Sequence, residues 1–408
     1  MTGILEFIKG CGRQIKTGNR AYFAWLTALF IAIAIGLVAY VGQARTGLIA
    51  TNIRDQVSWA FYIGNFTFLV GVAAAAVLLV IPAYIYHWGP LKEVVLLGEL
   101  LAISALAMCL LFIMVDMGQP TRLLHMMPVI GTPNWPRSLL AWDALVLNVY
   151  LILNVAVVLY ILYQSYSGKE PNKKILLPLV LISIPVSIST HTVTAFLYNG
   201  MASRPYWNAS ILAPRFLASA FCSGPAVMII LFQLLRKTTK IPIKDEAIWK
   251  LAELMAYAMF INLFLLGAEL FKEFYSQTQE LRYTQYLWFG IGEHQALVPY
   301  AWGSLVASVA AFFIFLVPRL RQNWATLNLG CLLIWSGVYI EKGLGLVIPG
   351  MTPDTLGEIY EYRPTLTEWS IAVGIFGVGF LIFTILVKIS VPILVGTFKT
   401  SGAAAAGH

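Results

Sequence analysis

The sequence predicts an all-α integral membrane protein of ten transmembrane helices, set out as two four-helix bundles with flanking helices. Three observations carry this expectation. Of the 408 residues, 59% are hydrophobic and only 11% charged, whereas a soluble domain is about 25% charged. Apolar runs of about 20 residues, the length that crosses a ~30 Å hydrocarbon layer as a helix, recur along the whole chain. Lysine and arginine gather in every second connection, the asymmetry that sets orientation in a membrane.

The runs follow in order. The first, roughly 21–42, comes after Lys9, Arg13, Lys16 and Arg20, a basic lead without a cleavable-signal pattern. The second, 58–85, passes through the small-residue stretch GVAAAA toward Lys92. The third, 93–115, stops at GQP, because glycine and proline end helices. The fourth, 138–163, starts after GTPNWP and ends before Lys169, Lys173 and Lys174. The fifth, 175–198, returns to GMASRPYWN. The sixth, 211–235, carries SAFCSGPA and meets Arg236, Lys237, Lys240 and Lys244. The seventh spans 248–271. The eighth, 297–317, precedes Arg319 and Arg321; the ninth spans 325–348. The tenth, 367–391, precedes Lys399 and a tail, SGAAAAGH, without legible chemistry.

The basic loops place both termini in the cytoplasm. The opposite loops are longer, rich in Pro, Trp, Tyr and Arg, and hold Asp354, Glu358 and Glu361. That asymmetry suggests a partner or a site on the outer face, beside an interfacial aromatic belt. No soluble domain fits between the spans, so residues 1–408 read as one integral membrane domain. Spans two and six both run inward and are rich in small residues that allow close helix contact. This suggests repeated bundles at about 58–198 and 211–348.

Several functions are excluded by what is missing. The net charge of +8 is explained by basic cytoplasmic loops, so nucleic acid is not an expected partner. Cys11, Cys109, Cys222 and Cys331 form no CxxC pair, so neither an iron–sulfur cluster nor a structural metal is expected. Of His87, His125, His191, His294 and His408, only His191 lies well inside a span, which argues against haem held by two histidines. Any redox role must therefore borrow its electron relay from companions.

Ionisable groups within spans are costly and usually functional. Asp143 lies about 8 Å below the outer edge of span four, and His191 about 24 Å from the inner edge of span five. Glu269 lies near the outer end of span seven. The loop 115–143, with Asp116, Arg122, His125 and Arg137, caps this region and is expected to face a partner; Asp116 and Arg122 could form a local ion pair. Near the inner face, Glu99 lies about 10 Å deep and Glu253 about 8 Å deep. Either they begin a proton path, or they hydrogen-bond at headgroup level. A quinone needs a donor at each carbonyl and a quinol an acceptor for each proton. Histidine beside a carboxylate supplies both. Arg204 offers a nearby cation, and Trp59, Tyr62 and Trp142 offer flat walls. The bland alternative for His191 is a hydrogen bond to a hydroxyl within STHTVT.

The ten-span layout, WAFYIGNFTFLVGVAAAA (59–76), VDMGQPTRLLHMMP with NWPRSLLAWD, and SRPYWNASILAPRFLASAFCSGPA together resemble the NrfD-type membrane subunits of the polysulfide-reductase family. Within it, IEKGLGLVIPGMTPDTLGEIYEYRPTLTEW (340–369) and GAELFKEFY (267–275) are most similar to the DsrP-type subunits of DsrMKJOP complexes of sulfite reduction, with HmcC-type subunits close behind. The resemblance implies two four-helix bundles, exchangeable menaquinone as the cofactor, and a quinone pocket near the outer face formed by Tyr62, Asn65, Asp143, His191 and Arg204. It implies four partners: a periplasmic iron–sulfur protein (DsrO-like), a multihaem cytochrome c (DsrJ-like), a membrane cytochrome b (DsrM-like) and a cytoplasmic iron–sulfur protein (DsrK-like). The setting would be a prokaryotic cytoplasmic membrane. The expected function is a quinone-reactive respiratory subunit, with proton translocation as an extension. The rival readings are a secondary transporter or ion channel, disfavoured because the ionisable groups gather toward the two faces, and a passive anchor.

Overall fold

The computed structural model describes residues 2–398 apart from Glu93, Pro128 and Lys240. Lys240, Lys399 and the tail, His408 included, thus lie outside the described residues.

All ten expected spans are helices. They are α2 (Arg20–Thr46), α3 (Phe61–Ile85), α4 (Val95–Asp116), α5 (Leu139–Tyr166), α6 (Lys173–Asn199), α7 (Leu212–Thr238), α8 (Asp245–Ser276), α10 (Val298–Leu316), α11 (Trp324–Met351) and α12 (Leu366–Leu394). Further helices were not expected, the longest being α1 (Thr2–Lys16) and the short α9 (Leu281–Trp288). Several starts are fixed by side chains. Asn19, Ser138, Asn172, Asn323 and Thr365 each accept a hydrogen bond from the first turn they precede, relieving its unpaired N–H groups. The end of α8 runs past its apolar stretch to Ser276, where left-handed Gln277 stops it.

Helices α3, α4, α5 and α6 pack as one ring of four, and α7, α8, α10 and α11 as a second. The rings meet where α3 lies against α7 and α11, and α6 against α7. Small residues permit the approach. Gly224 of α7 faces Ala75 of α3, where a Cβ on the glycine would collide, and Gly64 of α3 lies close against the Gly343 backbone of α11. Outside them, α2 pairs with α12, which leans on α4. Only Leu29, Gly36 and Gln43 of α2 are buried. They repeat every seventh residue, one narrow stripe on an otherwise lipid-facing helix. Among the described residues, α1 lies at the end bearing the basic loops, with Phe7 packed on Tyr163 and Tyr166 of α5.

Two spans are irregular. Helix α3 widens over Ile81–Ile85 around Pro82, and α11 over Ile340–Leu344. Such wide turns change the direction in which successive side chains point. The second of them builds part of the site below.

The start of α12 is pinned to the loop before α3. The buried Glu368 carboxylate accepts from the backbone N–H of Asn52 at 3.0 Å and of Thr365 at 2.8 Å, from the Thr365 hydroxyl at 2.9 Å, and from the Tyr362 hydroxyl. Thr365 caps the Glu368 N–H in return, a reciprocal capping box. Burial and the facing carboxylate push the Tyr362 hydroxyl well above the usual phenol range. Glu368→Ala removes one cap and orphans several donors, so it should cost about 2–4 kcal/mol. Glu368→Gln should cost clearly less. Thermal unfolding of the purified chain measures both, and equal midpoints for the two variants would contradict this account.

Candidate functional site

Asp143 and Thr194 join α5 to α6, one turn from His191. Asp143 lies in the second turn of α5, and its Oδ1 accepts the Thr194 hydroxyl at 2.7 Å. Thr194 is one turn beyond His191 on α6. Both are fully buried, and Asp143 is 1% exposed. Among the described residues, Asp143 Oδ2 and both ring nitrogens of His191 have no hydrogen-bond partner. The Phe216 ring of α7 stands edge-on to His191, with centroids 6.2 Å apart. Deeply buried polar atoms without partners are uncommon and ask for a reason.

The other expected quinone residues are engaged elsewhere. Trp59 packs between Tyr198 and Trp207. The Tyr62 hydroxyl donates to Gln43 Oε1 at 2.7 Å, toward α2. Asn65 donates to the Phe61 carbonyl at 2.7 Å and accepts from the Tyr339 hydroxyl at 2.9 Å, toward α11. Arg204 donates to the Met351 carbonyl at 3.0 Å. Trp142 folds back onto its own loop, donating to the Pro136 carbonyl at 2.8 Å beside Trp135. These side chains frame the region but do not converge on one point with Asp143 and His191.

The remaining expectations divide. Among the described residues Asp116 makes no ion pair with Arg122, correcting that expectation. Helix α4 ends at Asp116 with its Oδ1 enclosed, while the 3-10 turn over Pro120–Met126 carries Arg122 out into solvent. Arg122, His125 and Arg137 are exposed, together with Val129 and Ile130. Glu99 is 4% exposed, with Oε2 unpartnered. Glu253 sits among Tyr257 (2.9 Å), Lys250 (3.4 Å) and Arg321 (3.6 Å); the headgroup-level alternative describes this position. Glu269 is ion-paired to Arg215.

That last pair opens a cluster the sequence reading missed. Arg215, in the first turn of α7, bridges Glu269 of α8 and Glu341 of α11. Its Nε and Nη2 reach Glu341 Oε1 at 3.1 and 2.8 Å. Asn262 of α8 donates to Glu341 Oε2 at 3.2 Å, and its own Oδ1 is unpartnered. A narrow cleft of about 30 Å³ runs beside them, lined by Tyr206, Leu266, Glu273, Trp288, Ser304 and Ser308 among others. Helix α9 covers it, and Thr284 of α9 donates to the buried Glu273. Tyr206 donates to the Gly345 carbonyl at 3.0 Å; burial, then the Glu269 charge, pushes its hydroxyl above the usual phenol range. The next residue after Glu341, Lys342, donates to the Phe216 carbonyl of α7 at 2.8 Å. The signal was present in the sequence: Arg215, Glu341 and Lys342 all fall inside apolar runs, where a charge demands a partner.

Comparison with known proteins adds the following. A family model described as polysulphide reductase, NrfD, matches residues 49–353. A Halobacterium salinarum chain named as the membrane subunit of a dimethyl sulfoxide reductase is 25% identical, covering 88% of each chain. A selenate reductase subunit of Mesobacillus selenatarsenatis is 24% identical, over 91% of this chain and 94% of that one. The Hdr-like menaquinol oxidoreductase integral membrane subunit of Archaeoglobus fulgidus is 22% identical, over 92% and 95%.

Proposed function

The chain belongs to the polysulphide reductase NrfD family, and from that premise we propose that it is the quinone-reactive membrane subunit of a respiratory oxidoreductase complex. One observation carries the proposal: Asp143 Oδ2 and both His191 ring nitrogens are buried without partners, on helices that Thr194, one turn from His191, ties together at Asp143. They fit a quinone headgroup, since a histidine and a carboxylate together offer both a donor and acceptors. A bound quinone supplies two-electron, two-proton chemistry there. His191 would hydrogen-bond the headgroup and hold or release a proton at a ring nitrogen. Asp143 Oδ2 would take that proton onward, with Oδ1 fixed by Thr194. Phe216 and Tyr198 keep water from the site. Trp59, Tyr62, Asn65 and Arg204 then act through the frame they build.

The finer reading is a DsrP-like subunit with menaquinone as its quinone, in keeping with the menaquinol named for the Archaeoglobus relative. Its exposed loop, with Arg122, His125 and Arg137, would face a periplasmic iron–sulfur protein, and the basic end would lie in the cytoplasm. A multihaem cytochrome c, a membrane cytochrome b and a cytoplasmic iron–sulfur protein would complete the complex, and the two helix rings would be tandem repeats. Glu99 would serve proton entry from the basic end.

Quinone extracted from the purified protein tests the site. His191→Ala and Asp143→Asn should each weaken retention by about 10–100-fold, the loss of one or two buried hydrogen bonds. The cleft favours a second reading, because Arg215, Glu269 and Glu341 line it from three helices. In that case Glu269→Gln would release the quinone while both first-ring variants retained it.

A further inference from the structure

The wide turn of α11 sends two consecutive charged side chains to different places. Glu341 points into the second ring and binds Arg215 and Asn262. Lys342 points into the seam between the rings. It is 4% exposed, its Nζ donates to the Phe216 carbonyl at 2.8 Å, and it lies 3.6 Å above the centre of the Phe216 ring. The same ring stands edge-on to His191. Lys342 and His191 thus share the Phe216 ring as a neighbour, and Glu341 immediately precedes Lys342 in the chain.

A lysine placed only to hold two helices together would be expected to pair with a carboxylate, because a buried ammonium is costly alone. Among the described residues Lys342 makes no ion pair. The carboxylate beside it in sequence is held by arginine, and the ammonium rests on one carbonyl and a ring face. An amine on a flexible four-carbon stem, between an unpartnered histidine and a carboxylate cluster, has the properties of a carrier.

We propose that Lys342 relays protons across the seam between the His191–Asp143 site and the Glu341–Arg215–Glu269 cluster. The proposal rests on the quinone reading of the first ring. The step balances without any redox partner. The Lys342 ammonium gives a proton to a Glu341 carboxylate oxygen, and the lone pair this leaves on Nζ accepts a proton from the His191 imidazolium formed when His191 takes a quinol proton. The side chain swings between the Phe216 carbonyl and Glu341, with Asn262 and Arg215 loosening or tightening on the carboxylate as its charge changes. The two rings thereby share one proton inventory, although quinone sits in only one of them.

The test uses the complex purified with its partners, supplied with a short-chain naphthoquinol and followed by infrared difference spectroscopy on oxidation. The wild type should show a protonation change in a buried carboxyl group, and Glu341→Gln should remove that signal and so assign it. Lys342→Gln and Lys342→Arg should both keep wild-type quinone occupancy and lose the signal at least tenfold. The arginine variant is decisive, because it keeps the charge and can still reach the Phe216 carbonyl, yet it does not give up its proton. It also guards against a folding defect in the glutamine variant. A carboxyl signal assigned to Glu341 that persists in Lys342→Arg, or is absent from a wild type with active bound quinone, overturns the relay. Wild-type complex that binds no naphthoquinol overturns instead the quinone reading beneath it.

Discussion

Arg215→Met is expected to destabilise the chain by about 3–5 kcal/mol, the cost of breaking a buried ion pair by removing one partner. Arg215 is the shared cation of two carboxylates on different helices, Glu269 on α8 and Glu341 on α11. Methionine fills a similar volume but leaves both carboxylates facing one another across the cleft. Asn262, with one weak contact to Glu341, cannot replace the guanidinium. Nor can Lys342, which already donates to the Phe216 carbonyl on the seam side. Arg215→Lys should recover only part of the loss, since an ammonium lacks the fork that reaches Glu341 through two nitrogens and Glu269 through a third. The sharper check is a combination. Replacing the whole triad, Arg215→Met with Glu269→Gln and Glu341→Gln, should be more stable than Arg215→Met alone, because no uncompensated charge remains. Thermal unfolding in detergent ranks the four proteins. If the triple variant proved the least stable, the cluster would owe its stability to something other than charge compensation.

The spans were legible because length and apolarity are properties of single segments. Each helix start lies within three residues of its expectation and each end within five. The caps at Asn19, Ser138 and Thr365 show why starts were the better defined. Helix α1 escaped notice because its apolar residues, Ile4, Leu5 and Ile8, are interleaved with Lys9, Arg13 and Lys16, a pattern for lying on a membrane and not crossing it. The similar depth of Asp143 and His191 was legible because depth follows from counting 1.5 Å per residue. Direction was not. Tyr62 and Asn65 are three residues apart on α3, yet one reaches Gln43 of α2 and the other Tyr339 of α11. Depth is a count along one helix, whereas the side a residue faces depends on how that helix is rotated against its neighbours. The same gap hid the Arg215 cluster. Its members come from three helices, and the wide turn at Ile340–Leu344 that splits Glu341 from Lys342 has no mark in the sequence beyond a glycine.

If Asp143 and His191 exchange protons with bound quinol, then His191→Ala should lower quinol-linked turnover by about 10²–10⁴-fold, the usual contribution of a positioned acid–base group. Asp143→Asn is the more discriminating change. The amide oxygen can still accept from Thr194, so the local geometry survives while the proton-accepting Oδ2 is gone. Its loss should therefore appear in turnover more than in stability. Thr194→Val removes the hydroxyl that fixes Asp143 Oδ1 and should cost only about tenfold, in line with one hydrogen bond. The double variant His191→Ala with Asp143→Asn should be scarcely slower than His191→Ala alone, because groups that act as one unit are not additive. Turnover measured in proteoliposomes with the partner subunits present decides the matter. Multiplicative losses in the double variant would mean that the two residues serve separate steps, and the Thr194–Asp143 hydrogen bond would then be structural.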